Sequence, residues 1–113
     1  MKLKSFKEAL EKSIEQWEWV VSQPEGTWKS NYPPIQKTCP GGGCYLCEWG
    51  NQSRTFCNDC TDSNVWNTPY CIFGESPYCR YEDAFLKGEP TKKHARVVLK
   101  ALKKALKRLE DAD

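Results

Sequence analysis

Aliphatic side chains are scarce in the middle of this 113-residue chain, between Ile35 and Phe85. A segment with so few Leu, Ile and Val residues cannot bury a large hydrophobic core. Small domains without such a core need cross-links such as disulfides or a bound metal ion. All seven cysteines fall between Cys39 and Cys79. They are therefore the residues expected to hold the middle of the chain together, through disulfides or through a metal ion.

Export and membrane segments are also missing from the sequence. The first residues, Met1 to Glu8, contain no apolar stretch of the kind found in signal peptides. No apolar run reaches the about 18 residues that a membrane span needs. We therefore predict a cytoplasmic protein, and structural disulfides are uncommon in the cytoplasm. An odd number of cysteines also argues against a framework made only of disulfides, which leaves a mainly disulfide-bonded fold and free buried thiols as alternatives.

A single histidine limits the catalytic chemistry open to the chain. Ser-His-Asp and Cys-His-Asn arrangements find little support, and the H-x-E and P-C-x-x-C motifs of zinc deaminases are absent. The glycines at 41–43 lead into Cys44 and not into the Lys-Ser/Thr pair of a phosphate-binding loop. A redox role for a CxxC pair is the best enzymatic alternative, but no βαβ pattern surrounds either pair. We therefore predict that the chain is not an enzyme.

Two CxxC pairs form the strongest motif of the sequence. Cys44 and Cys47 make the first pair, Cys57 and Cys60 make the second, and nine residues separate them. Two cysteines three apart can direct both thiolates at one cation, and four thiolates complete the tetrahedron that Zn²⁺ prefers. The spacing predicts a structural zinc site, with an iron–sulfur cluster as an alternative. Further candidate ligands, as replacements or in a second site, are Cys39, Cys71, Cys79 and His94.

Amphipathic helices are predicted at both ends of the chain. Residues 5–22 begin with a capping box formed by Ser5 and Glu8. The apolar side chains of this segment share one helical face: Phe6, Leu10, Ile14, Trp17 and Val21. Residues 91–110 carry Ala, Val and Leu at helical spacing. Pairing the two helices antiparallel would bury both apolar faces.

The cysteine-rich segment 39–79 is expected to add a small β element to this helix pair. Residues 48–56, between the CxxC pairs, suit a short hairpin around Gly50 and Asn51. The predicted fold is one small α+β metal-stapled domain spanning residues 1–113. In it, a zinc-ribbon-like module packs beside the antiparallel N- and C-terminal helices.

Charge is divided unevenly along the chain, whose formal net charge is +2. Residues 39–79 contain one basic and four acidic residues, so that segment is −3, whereas residues 91–113 contain eight basic and three acidic residues and are +5. A basic amphipathic helix can bind nucleic acid, a membrane surface or an acidic protein, or it can be a solvated outer face. The residues that would contact nucleic acid are Lys92, Lys93, Arg96, Lys100, Lys103, Lys104, Lys107 and Arg108.

Several short motifs follow one another along residues 15–80. They are Gln16-Trp17-Glu18-Trp19, then Cys44-Tyr-Leu-Cys47-Glu48-Trp49, then Cys57-Asn-Asp-Cys60 with the later Cys71. This series resembles a set of small cysteine-rich bacteriophage and prophage proteins of uncharacterised function. The resemblance implies a phage origin and action in the host cytoplasm. It also implies binding and blocking of a host protein, including anti-CRISPR-like or other inhibition of a defence factor.

Two classes of function therefore compete. In the first, a non-catalytic zinc protein binds a host protein through aromatic anchors, which would be Trp28, Trp49, Trp66, Tyr32, Tyr45, Tyr70 and Tyr78. The same aromatic residues can instead pack around the metal site in place of missing aliphatic ones. In the second class, the basic C-terminal helix binds nucleic acid. Capture of a small signalling molecule is a third option.

Overall fold

The computed structural model describes residues 3–38, 43–54, 65–66 and 76–112. Within these residues the chain forms five α-helices and one short 3₁₀ turn, Lys29–Asn31. In chain order the helices are α1 (Phe6–Ser22), α2 (Pro33–Thr38), α3 (Tyr45–Ser53), α4 (Pro77–Leu86) and α5 (Lys92–Ala112). No residue in the described ranges lies in a β-strand.

The predicted α+β class is therefore wrong for the described chain, and the difference lies in the first CxxC segment. Residues 48–53, expected in a hairpin, belong to α3. Tyr45, Leu46 and Gly50 are buried in this helix, and their spacing places them on one side of it. Helix α3 packs against α1, so residues 48–53 continue a helix whose first turn already buries Tyr45 and Leu46. The rest of the predicted hairpin, residues 55–56, lies outside the described residues.

Helix α1 begins with Ser5 as its N-cap, as predicted, but the return hydrogen bond to Glu8 comes from the Lys4 N–H and not from the Ser5 N–H of a capping box. Ser5 Oγ accepts a hydrogen bond from the Glu8 N–H at 3.1 Å, and Glu8 Oε1 accepts one from the Lys4 N–H at 3.3 Å. The buried side chains of α1 are Ala9, Leu10, Ser13, Gln16, Trp17 and Val20. Three elements pack on α1, namely α5, α3 and the 3₁₀ turn. The buried face of α1 is therefore wider than the predicted apolar stripe. It includes two polar residues.

The pairing of the N- and C-terminal helices is confirmed. Lys7 Nζ lies 3.6 Å from Glu110 Oε2, and Lys103 Nζ lies 3.8 Å from Glu18 Oε2. Higher residue numbers in α1 thus meet lower numbers in α5, so the helices are antiparallel. The apolar face of α5 supplies buried Ala95, Val98, Leu102 and Ala105. None of the described helices is both long and apolar enough to cross a membrane.

Helix α4 follows directly on the described residue Ser76. Ser76 is its N-cap, and the Ser76 Oγ accepts a hydrogen bond from the Cys79 N–H at 3.0 Å. Pro77 follows in the first turn, where its fixed φ favours a helix and its missing N–H costs nothing. The helix packs on α5.

Tyr81 of α4 joins the aromatic residues of the core. Its ring lies edge-on to Trp17, with centroids 4.8 Å apart, and stacks on Trp28, with centroids 5.4 Å apart. Its hydroxyl donates a hydrogen bond to the Thr27 carbonyl oxygen at 2.9 Å. Tyr81 thereby fastens α4 to both α1 and the segment that leads into the 3₁₀ turn.

Candidate metal site and basic face

The first CxxC pair opens helix α3. Cys44 is the N-cap residue and has an extended backbone, with φ −139° and ψ 116°. Cys44 is half-buried, and Cys47, in the first helical turn, is exposed. The two side chains are in hydrogen-bond contact, and the Cys47 N–H also donates to the Cys44 sulfur. Both sulfur atoms are therefore within reach of one cation, as a thiolate metal site requires.

The surroundings of Cys44 oppose loss of its proton. The hydrogen bond with the Cys47 side chain, followed by burial, raises the pKa of Cys44 well above its usual value. The Cys47 N–H and the nearby charge of Lys29 act in the opposite direction and lower the pKa by less. A metal ion that binds Cys44 must displace this proton, so its affinity should increase with pH.

The carbonyl group of Gly43, directly before Cys44, is held by two buried side chains. Gln16 Nε2 donates to the Gly43 oxygen at 3.1 Å, and Lys29 Nζ donates to it at 3.2 Å. Gln16 Nε2 also donates to the Lys29 carbonyl oxygen at 3.0 Å, which ties the two donors to each other. We call Gln16, Lys29 and the Gly43 carbonyl the Gly43 clamp. It connects α1 and the 3₁₀ turn to the residue that precedes the first CxxC pair.

Lys29 is buried to an unusual degree for a lysine, with 2% of its surface exposed. Its Nζ lies 5.4 Å from the centroid of the Trp28 ring and 5.3 Å from that of the Tyr78 ring. Aromatic faces attract a cation in this position, and the attraction is larger where water is excluded. The rings and the Gly43 oxygen together offset part of the cost of burying the ammonium group.

Sequence reasoning missed both donors of the clamp. For Gln16 a signal exists, because Ala9, Ser13, Gln16 and Val20 follow one another at spacings of four, three and four, which is a second buried stripe of α1. Lys29 carries no comparable signal. It lies in a 3₁₀ turn of three residues, and only contacts with distant parts of the chain decide which residues of such a short turn are buried.

The other predicted ligands do not gather around the first CxxC pair within the described part of the chain. Cys79 is half-buried in the first turn of α4, and His94 is half-buried in the first turn of α5. No three His, Cys, Asp or Glu side chains among the described residues form a group that could hold a metal. Four of the predicted ligands lie outside the described residues: Cys39, Cys57, Cys60 and Cys71. Zinc binding therefore stays a prediction.

Helix α5 exposes basic side chains on the side opposite its buried residues. We call this surface the basic face; it consists of Lys93, Arg96, Lys100, Lys103, Lys104, Lys107 and Arg108, all exposed. At about 3.6 residues per turn, these positions project away from the apolar face that packs on α1 and α4. Lys103 lies at the edge of the basic face, where it pairs with Glu18 of α1. A shallow groove on this surface is lined by Arg96, Leu99, Lys100, Lys103, Lys104 and Lys107.

Lys92, which the sequence also assigned to this surface, lies at the start of α5 and is half-buried. Its N–H donates to Glu25 Oε1 at 2.7 Å, and the Thr91 N–H donates to the same oxygen at 3.2 Å. A carboxylate at a helix N-terminus accepts hydrogen bonds from backbone N–H groups and interacts favourably with the helix dipole. Glu25 therefore caps α5.

The aromatic residues predicted as binding anchors pack inward where they are described. Six of the seven are buried or half-buried in the core: Tyr45, Trp66, Trp28, Tyr32, Trp49 and Tyr78. Tyr70 lies outside the described residues. The large hydrophobic side chains that stand out at the described surface are Leu86, 75% exposed, and Val97, 50% exposed. The described surface therefore offers basic side chains rather than aromatic anchors.

Comparison of the chain with protein-family models, with curated protein sequences and with solved structures finds no match. The resemblance to phage proteins, and the origin it implies, therefore stay predictions. The function has to be argued from the geometry of the molecule itself.

Proposed function

We propose that this chain is a non-catalytic protein that binds nucleic acid on the basic face of α5 and holds a structural zinc ion in its cysteine-rich segment. The observation that carries the first part is the seven exposed basic side chains of the 21-residue helix α5. Because α1 and α4 pack on the apolar face of α5, the basic face points to solvent.

The basic face suits a phosphate backbone in length and charge. From Lys93 to Lys107 the helix rises about 21 Å, at 1.5 Å per residue. Double-stranded DNA carries one negative charge per about 1.7 Å of its axis, so a face of this length spans several phosphates. Contacts with phosphate position a protein without reading the base sequence. We therefore expect weak sequence preference and strong dependence on salt.

A protein partner suits the basic face less well. Specific protein interfaces have a desolvated centre with aromatic anchors, whereas interfaces with DNA are polar and strongly positive. The groove on the basic face is lined by five basic residues and Leu99. Inhibition of a host protein, and action in the host cytoplasm, stay predictions that follow from the resemblance.

The test for nucleic acid is a charge-reversal variant with a matched control. The first variant changes three lysines of the basic face to glutamate: Lys100, Lys104 and Lys107. The control changes three lysines elsewhere to glutamate, and so has the same net charge: Lys4, Lys12 and Lys87. Binding of a labelled DNA duplex and of an RNA duplex is measured by fluorescence anisotropy between about 50 and 200 mM salt.

The basic-face variant should bind weakly, and its plot of log affinity against log salt should be shallower by about one unit per lysine. The control should keep most of the wild-type slope. Circular dichroism should show the same helix content in all three proteins, because five of the six changed side chains are exposed and the sixth, Lys12, is only half-buried. Absence of wild-type binding at low salt would remove nucleic acid as the ligand. Equal losses in both variants would remove the basic face as its binding surface.

For the zinc ion we propose Cys44, Cys47, Cys57 and Cys60 as ligands. The contact between Cys44 and Cys47 supports the first pair, and the CxxC spacing of the sequence supports the second. Four thiolates would leave no open position for a substrate. Replacing Cys44 by Ser should lower the bound zinc, measured by elemental analysis, and lower the melting temperature, since metal-binding energy is folding energy in such modules. A variant with wild-type zinc content and melting temperature would contradict the assignment.

A further inference from the structure

The Gly43 clamp places two buried polar side chains immediately beside the first CxxC pair. We infer that Gln16 and Lys29 are positioning residues that hold Cys44 and Cys47 in the arrangement that binds a thiolate-preferring cation such as Zn²⁺. The inference rests on the proposed zinc site. It adds two residues from outside the cysteine-rich segment, one on α1 and one on the 3₁₀ turn.

The backbone of Gly43 explains why a clamp at this point can orient the cysteines. Gly43 has a φ of +64°, in the left-handed region, and a Cβ at this position would lie 2.1 Å from Ser30 Oγ and 3.1 Å from Ser30 Cβ. The chain thus turns sharply against the 3₁₀ turn before it enters α3. Because Cys44 is the next residue, the Gly43 peptide fixes the direction in which the first CxxC pair begins.

The two donors act on this peptide from different elements. Gln16 reaches the Gly43 oxygen from α1 at 3.1 Å, and Lys29 reaches it from the 3₁₀ turn at 3.2 Å. A carbonyl group held by two donors loses freedom about the bonds on either side of it. In metal sites, groups that orient the ligands without touching the metal change metal affinity by about 10- to 100-fold when they are replaced.

Charge gives Lys29 a second effect at the same place. A site of Zn²⁺ and four thiolates has a net negative charge, which is costly to bury without a nearby cation. The Lys29 ammonium is close enough to act electrostatically on Cys44, and the Trp28 and Tyr78 rings hold it there. An arginine could provide the same charge, whereas a methionine of similar length could not.

The experiment measures Zn²⁺ affinity by competition with a chromophoric chelator. The variants are Gln16→Met and Lys29→Met, which keep the length of the side chain and remove its donors, together with Lys29→Arg, which keeps the charge. Gln36→Met is the matched control, because Gln36 is an exposed glutamine whose Nε2 donates at 3.1 Å to the carbonyl oxygen of Ser30, beside the clamp. Each protein is also titrated with Co²⁺, whose absorption reports the number and geometry of thiolate ligands.

We expect Gln16→Met and Lys29→Met to bind Zn²⁺ about 10- to 100-fold more weakly than wild type and to change the Co²⁺ spectrum. Lys29→Arg should recover most of the affinity lost in Lys29→Met, and Gln36→Met should match wild type. The melting temperature of the metal-free proteins identifies a variant that is merely unfolded, and affinity is then read from the methionine variant that still folds and from Lys29→Arg.

Two results would overturn the inference, and they are distinguishable. Wild-type protein that binds neither Zn²⁺ nor Co²⁺ would remove the proposed metal site together with its positioning residues. Wild-type protein that binds Zn²⁺ while both methionine variants keep its affinity and Co²⁺ spectrum would leave the metal site standing. It would show that the Gly43 clamp only stabilises the fold.

Discussion

Tyr81 is the residue through which alkaline pH should act on the stability of this fold. Its side chain is fully buried, lies between Trp17 and Trp28, and donates a hydrogen bond to Thr27. Burial raises the pKa of Tyr81 to about 12, and a hydrogen bond from the Lys29 N–H opposes this effect only in part. The folded protein therefore holds this proton more tightly than the unfolded chain.

The sign and size of the effect follow from the two pKa values, 10.0 for the unfolded residue and about 12 for the folded one. The stabilisation is fully present below about pH 10 and is lost as the pH rises toward 12. At about 1.4 kcal/mol per pKa unit, the limit is about 3 kcal/mol. We expect about 1–2 kcal/mol, because the effective dielectric constant at buried protein sites is higher than that of a dry interior and reduces the cost of a buried charge.

Urea unfolding of wild-type protein and of Tyr81→Phe, each at several pH values between about 8 and 12, tests this reasoning. At the lowest pH the variant should be less stable by about 1 kcal/mol, because the Thr27 carbonyl loses its donor. As the pH rises, the wild-type protein should lose stability faster, so the difference should shrink or change sign. Parallel loss of stability in the two proteins would show that Tyr81 does not carry the pH dependence.

Three further changes test the helix pair and the entry to the first CxxC pair. Leu102→Ala, at a fully buried position of α5, should lower the free energy of unfolding by about 2–5 kcal/mol; a urea midpoint equal to wild type would contradict the packing. Glu25→Gln weakens the cap on the Thr91 and Lys92 N–H groups and should cost about 1 kcal/mol, measured by thermal unfolding. Gly43→Ala should cost more than about 1 kcal/mol because of its positive φ and the contact with Ser30. An unchanged melting temperature of Gly43→Ala would contradict this expectation.

The terminal helices could be predicted because their signals are local. The Ser5 N-cap and the apolar spacing of α1 and α5 depend on residues within a few turns of one another, and each helix has one apolar face to bury. The hairpin predicted over 48–56 was wrong as far as it is described, because residues 48–53 lie in α3. That prediction rested only on two turn-forming residues, Gly50 and Asn51, and on the hairpin that zinc ribbons commonly form between their two cysteine pairs. The burial of Tyr45 and Leu46 against α1 outweighed both.

The candidate site also has one part that could be predicted from the sequence and one part that could not. Cys44 and Cys47 lie within four consecutive residues, so their contact could be expected from the sequence. The Gly43 clamp could not, because Gln16 and Lys29 lie 27 and 14 positions from the carbonyl group that they share. Hydrophobic periodicity indicates which side of a helix is buried, but it does not show which distant polar group will be there to accept a hydrogen bond. That pairing exists only once α1, the 3₁₀ turn and α3 have packed together, because a buried donor needs a partner that the local chain does not provide.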